Sequence, residues 1–115
     1  MMTEWGGDGC GGSDDEQAEC SYVQKLADLH LQSWTVRGTT GKTQRESDVL
    51  ARTYAQAVSG RVVNMTFDAV SHVFDFCFDM DTSIVEPTII YIAAERFYSH
   101  APVITTTPNI NAHVK

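Results

Sequence analysis

Thr66-Phe67-Asp68-Ala69-Val70-Ser71-His72-Val73-Phe74-Asp75-Phe76-Cys77-Phe78-Asp79-Met80-Asp81 holds four of the five phenylalanines of the 115-residue chain, so its reading decides where the core lies. Phe67, Val70, Phe74 and Phe78 fall on one face at helical spacing, and Val73, Phe76, Cys77 and Met80 widen that face. A helix apolar on most sides is a buried one, and residues 66–81 are expected to form the core helix. Asp68 sits in its first turn, where the helix dipole favours negative charge. Asp79 and Asp81 at the other end are disfavoured by the dipole and are expected to terminate it.

Downstream, Ser83-Ile84-Val85-Glu86 has the form of a capping box, yet Pro87 fits better at the first helical position behind a Glu86 cap. From there Ile89, Ile90, Ile92, Ala93, Ala94 and Phe97 predict a helix to about Ser99, with Pro102 at its exit. Residues 103–115 read as extended or turn-like, with Pro108-Asn109 as a turn signal. Upstream, residues 61–65 (RVVNM) suit a short strand or a connector equally. Val49, Leu50, Thr53, Tyr54, Ala57 and Val58 predict a helix over residues 43–59 that Gly60 stops. Before a break at residues 38–41, the stripe Val23, Leu26, Ala27, His30 and Trp34 predicts a first helix over residues 15–36. The glycine-rich start, residues 1–13, lacks the apolar surface to offset its chain entropy and reads as a disordered tail. The expected fold is all-α: a small four-helix array over residues 14–115.

A formal net charge of −7 leaves no concentrated basic face for phosphate, so nucleic acid is not expected as a partner. Cys10, Cys20 and Cys77 are odd in number and show no C-x-x-C spacing, which points to free thiols in a reducing compartment, cytoplasm or nucleus. Neither a signal peptide nor a membrane-length apolar run is visible, so the Asn64-Met65-Thr66 sequon carries no weight.

Four motifs invite chemistry. Gly41-Lys42-Thr43 would end a phosphate loop, but Val36 stands where its first glycine belongs, leaving an ordinary loop with a solvated Lys42. Asp79 and Asp81 form a D-x-D after an apolar run, similar to the first motif of haloacid-dehalogenase-type phosphatases; the resemblance would make Asp79 the nucleophile and Asp81 the acid and base. Counting from Asp79, Ile84 and Ile90 occupy the glycine and glutamate places of an EF-hand. The four histidines share no ligand spacing with cysteine or carboxylate. No catalytic residue, metal or cofactor is expected.

From Phe67 onward the order of features resembles the opening of a cyclin box, of the P-type cyclins related to phosphate signalling. An aromatic helix, a polar turn, a second helix ending in Ala94-Glu95-Arg96-Phe97 and a threonine-rich loop at residues 103–107 carry the resemblance, over residues 65–115. It implies a non-catalytic regulatory protein that binds a cyclin-dependent protein kinase through helical apolar surface. Phe74, Ile92, Glu95, Arg96 and Phe97 would be the packing and partner-binding residues, and open apolar surface would also allow self-association. The rival expectations are a small acidic inhibitor or adaptor, of the kind phages and mobile elements encode, that occupies a basic protein surface, and a phosphatase fragment built on Asp79 and Asp81.

Overall fold

In the computed structural model, residues 2–5, 10–36 and 44–108 are described. The chain is mixed α/β, with six short strands and three helices among the described residues, which corrects the all-α expectation. In chain order they are β1 (Met2–Trp5), α1 (Asp14–Leu29), β2 (Trp34–Val36), α2 (Gln44–Leu50), β3 (Tyr54–Ala57), β4 (Gly60–Phe67), β5 (Phe74–Met80), β6 (Ile89–Tyr91) and α3 (Ala94–Phe97). The strands pair two by two: β1 with β2 in parallel, β3 with β6 and β4 with β5 antiparallel.

The decisive stretch is a hairpin, not a core helix. Over β5, Phe74, Phe76 and Phe78 alternate with Asp75, Cys77 and Asp79, which is the period of two that a strand requires. Aromatic and β-branched residues suit that pleated surface better than a helix. Helical spacing arose only because Phe67 lies across a turn on β4 and Val70 lies in that turn, exposed. In that turn Asp68 Oδ1 accepts from the backbone N–H of Val70 (2.8 Å) and Ser71 (2.9 Å), and the Asp68 N–H donates to the Val73 carbonyl (2.9 Å). His72 turns the chain at φ 59°.

Register pairs Phe67 with Phe74, Met65 with Phe76, Val62 with Phe78 and Arg61 with Asp79, with a bulge between Val62 and Asn64. One face of the hairpin is therefore apolar and the other polar. Across the polar face Arg61 is ion-paired to Asp79, and Asn64 Nδ2 donates to Asp75 at 2.9 Å. Gly60 opens β4 rather than stopping a helix. Its φ is +153°, and a Cβ there would stand 2.0 Å from the Asp79 carbonyl oxygen, so the position admits glycine alone.

Three other expectations change. The predicted helix over residues 43–59 is α2 followed by the strand β3, because the chain turns extended by Tyr54 and pairs with β6. The predicted helix after Pro87 is β6 and the single turn α3, as the Ile89-Ile90-Tyr91 run takes up the strand that β3 offers. The first helix is real but ends at Leu29, and Trp34 belongs to β2. Its start carries a capping box between Ser13 and Glu16, with Asp14 and Asp15 also in the first turn.

The expected tail is partly built. β1 pairs with β2, Trp5 meets Trp34 edge-on at 5.5 Å, and Cys10 is disulfide-bonded to Cys20, correcting the free-thiol expectation for both. Cys77 is free and exposed. The spacing of ten between Cys10 and Cys20 gave no sign of pairing, because connectivity is set by where α1 starts. Gly41-Lys42-Thr43 and residues 109–115 lie outside the described residues.

Candidate functional site

Two places bring charged groups together. The first lies where α1 and α2 meet β4, a cleft of about 230 Å³ with Gln24, Lys25, Asp28, Asp48 and Arg52 among its walls. Asp28 in the last turns of α1 is ion-paired to Arg52, and both side chains are less than a tenth exposed. Burial pushes the Asp28 carboxyl above the ordinary aspartate range, against the opposing pull of the Arg52 charge and of hydrogen bonds from Arg52 and the Phe67 backbone. Gln24, also buried, donates to the Val49 carbonyl at 3.2 Å. These polar groups tie α1 to the end of α2 and to the segment between α2 and β3, so the cleft is a clamp between elements.

The second is an open depression at the end of the β4–β5 hairpin, where Arg61, Asp79 and Asp81 lie close to Gly60 and Ile84. Arg61 holds Asp79 as an ion pair. Asp81 accepts from the Ser83 hydroxyl (2.6 Å) and the Ser83 N–H (2.9 Å), and these bonds hold its carboxyl below the usual range. Here one acid is ion-paired and the other favours its charged form. The phosphatase reading fails on topology, since β5 sits in an antiparallel hairpin, and Arg61 occupies the would-be nucleophile.

The residues singled out for partner binding are scattered by the fold into packing roles. Phe74 lies opposite Phe67 and stacks on Phe76 at 5.9 Å, while Phe97 in α3 meets Phe67 edge-on at 5.0 Å and His72 at 5.1 Å. Arg96 pairs with Asp48, Glu95 is exposed, and Ile92 is half-buried just past β6. Phe74 and Phe97 thus converge on the same buried ring, but Glu95 and Ile92 do not form a face with them.

Sequence reasoning missed two aromatic arrays. Phe74, Phe76 and Phe78 form a stacked ladder, with 5.2 Å between the last two rings, and all three remain half-buried. Tyr54 on β3 stands directly opposite Tyr91 on β6 with ring centroids 5.2 Å apart, and both are exposed. Alternation along residues 74–80 was the available signal for the ladder. No local pattern pairs residue 54 with residue 91.

The family described as glycoside hydrolase family 5 C-terminal domain matches residues 52–114, which spans β3 to α3 and covers more than half of the chain. No curated protein matches the sequence. The match contains all but the last residue of the region that resembles a cyclin box, and there Glu95-Arg96-Phe97 ends a single helical turn rather than a long buried helix. The cyclin reading, with its cell-cycle role and kinase-binding function, is overturned, and the acidic-inhibitor and phosphatase readings go with it. The chain belongs to the glycoside hydrolase family 5 C-terminal domain family.

Proposed function

We propose that this chain is a non-catalytic accessory domain of a glycoside hydrolase, seated against the enzyme's catalytic domain through the apolar face of the β4–β5 hairpin. The observation that carries the reading is the half-covered Phe74, Phe76 and Phe78 ladder in a chain whose family is named for a hydrolase domain. Two-stranded sheets bury too little surface to be independently robust, and an apolar face of this kind gains most by meeting another protein surface. The polar groups of the hairpin face the other way, so docking there would bury no unpaired charge. The Cys10–Cys20 disulfide favours an oxidising compartment as the place of work.

Mixing the chain with a family 5 catalytic domain and following co-elution tests the reading. The two should co-elute, Phe76→Asp should separate them, and Asp75→Lys on the opposite face should not. Separate elution of the unsubstituted proteins would overturn the docking role. Hydrolysis of a glycoside by the chain alone, lost in Asp79→Asn, would overturn the non-catalytic reading.

A further inference from the structure

The Asn64-Met65-Thr66 sequon has no meaning in a reducing compartment, but the Cys10–Cys20 disulfide takes that objection away. Its middle residue is not proline, so the motif is a complete acceptor for an N-linked oligosaccharide. Such acceptors lie at the surface, and the fold puts this one there. Asn64, half-buried, follows the bulge of β4 and stands across from Cys77 of β5, and its Nδ2 donates to Asp75 at 2.9 Å on the polar side of the hairpin. Around it Thr66, Asp75 and Cys77 are exposed, and Arg61 and Asp79 keep 80% and 62% of their side-chain surface open to solvent. A bulky polar group on this side would displace no packed side chain. The hydrogen bond to Asp75 survives as well, because the Asn64 amide carries two N–H groups and attachment consumes one of them. Register adds a second observation. Cys77 is the odd cysteine, free and exposed in a chain whose other two are oxidised, and it is the residue paired with Asn64. An open thiol in an oxidising compartment invites intermolecular pairing unless something covers it.

We propose that Asn64 carries an N-linked oligosaccharide that lies over the polar side of the β4–β5 hairpin and covers the Cys77 thiol. The donor is a polyprenyl-diphosphate-linked oligosaccharide, and the catalyst is an oligosaccharyl transferase. Asn64 Nδ2 forms a bond to the anomeric carbon of the first sugar, and the bond from that carbon to the diphosphate oxygen breaks. The amide gives up one proton to a base of the transferase, and polyprenyl diphosphate leaves; nothing is oxidised or reduced. A glycan on this side keeps the Phe74, Phe76 and Phe78 side clear. The proposal takes its oxidising compartment from the accessory-domain reading and does not depend on docking.

To test it, the 115-residue chain is produced behind a cleavable secretion leader in a eukaryotic cell line, and cells and medium are both collected. Mass spectrometry of the unsubstituted chain should show a glycan whose removal by peptide-N-glycosidase turns Asn64 into aspartate. Asn64→Gln and Thr66→Ala should each abolish the added mass, and Thr66→Ser should retain it. Thr66→Ala keeps Asn64 itself, so it also reads the cover. Its Cys77 should react with a maleimide-linked polymer several times faster than that of the glycosylated chain, and Thr66→Ser should restore the slow rate. An unmodified Asn64 in the unsubstituted chain would overturn the site, and equal thiol rates with and without the glycan would overturn the cover. Separate elution from the catalytic domain would leave both results intact, so the two readings fail separately.

Discussion

At the residue scale, the pair formed by Asp28 and Arg52 is the most consequential contact, because both charges are out of water. Removing one member of a buried pair strands the other, at a cost of about 3–5 kcal/mol. Arg52→Met should therefore lower stability by that order in urea unfolding at neutral pH. The sign of the pH dependence is also set. Asp28 already has a raised folded pKa, so its contribution to folding is fully present below the unfolded value near 3.8 and is lost as pH rises through the folded value. Without Arg52 the carboxyl rises further, and the variant should recover stability relative to the parent as pH falls from neutral toward 4. Asp68 and Asp81 act in the opposite sense. Both are depressed, Asp68 by the Ser71 and Val70 N–H bonds and Asp81 by Ser83, so their contributions hold above pH 3.8 and are lost in stronger acid. Arg52 itself was not legible as half of this pair. Its partner lies 24 positions earlier on another element, and single-sequence patterns carry no information across that distance.

At the element scale, the β4–β5 hairpin is where reading and structure diverge most instructively. Phe67, Val70, Phe74 and Phe78 satisfy a helical stripe, yet the five residues from 74 to 78 also alternate strictly, and short apolar runs do not distinguish the two periods. The discriminating signals were local. Asp68 caps a tight turn through its own side chain, and Gly60 permits a backbone approach that no side chain tolerates. The helix α1, by contrast, was readable because its acidic first turn and its apolar stripe agree with each other, although its Ser13 cap showed only in the structure. Gly60→Ala tests the hairpin's closing end. A Cβ at 2.0 Å from the Asp79 carbonyl, on a backbone at φ +153°, should cost about 1–3 kcal/mol, read as a lower thermal midpoint with the helical signal of α1 lost in the same transition.

At the scale of the whole molecule, the core is slight. Among the described residues, Cys10, Cys20, Ala27 and Phe67 are the buried apolar side chains, and sheets of two strands do not close over one another. Covalent linkage then matters more than it would in a larger domain. Reducing Cys10–Cys20, or replacing Cys20 with serine, should lower the unfolding free energy by about 2–3 kcal/mol, measured by urea titration with and without reductant. The fold class was not legible because two of the three pairings, β1 with β2 and β3 with β6, join strands far apart in sequence, and each of those strands alone is short enough to pass for a helix turn or a loop. The hairpin's bulge, between Val62 and Asn64, reaches further than its size. Sliding β5 along β4 by a single position would carry three aromatic rings into water and drive Asp75 and Asp79 beneath the ribbon. The hairpin therefore has no cheap neighbouring alignment to slip into, and a chain that melts there must lose the pairing altogether rather than drift into a mismatched isomer.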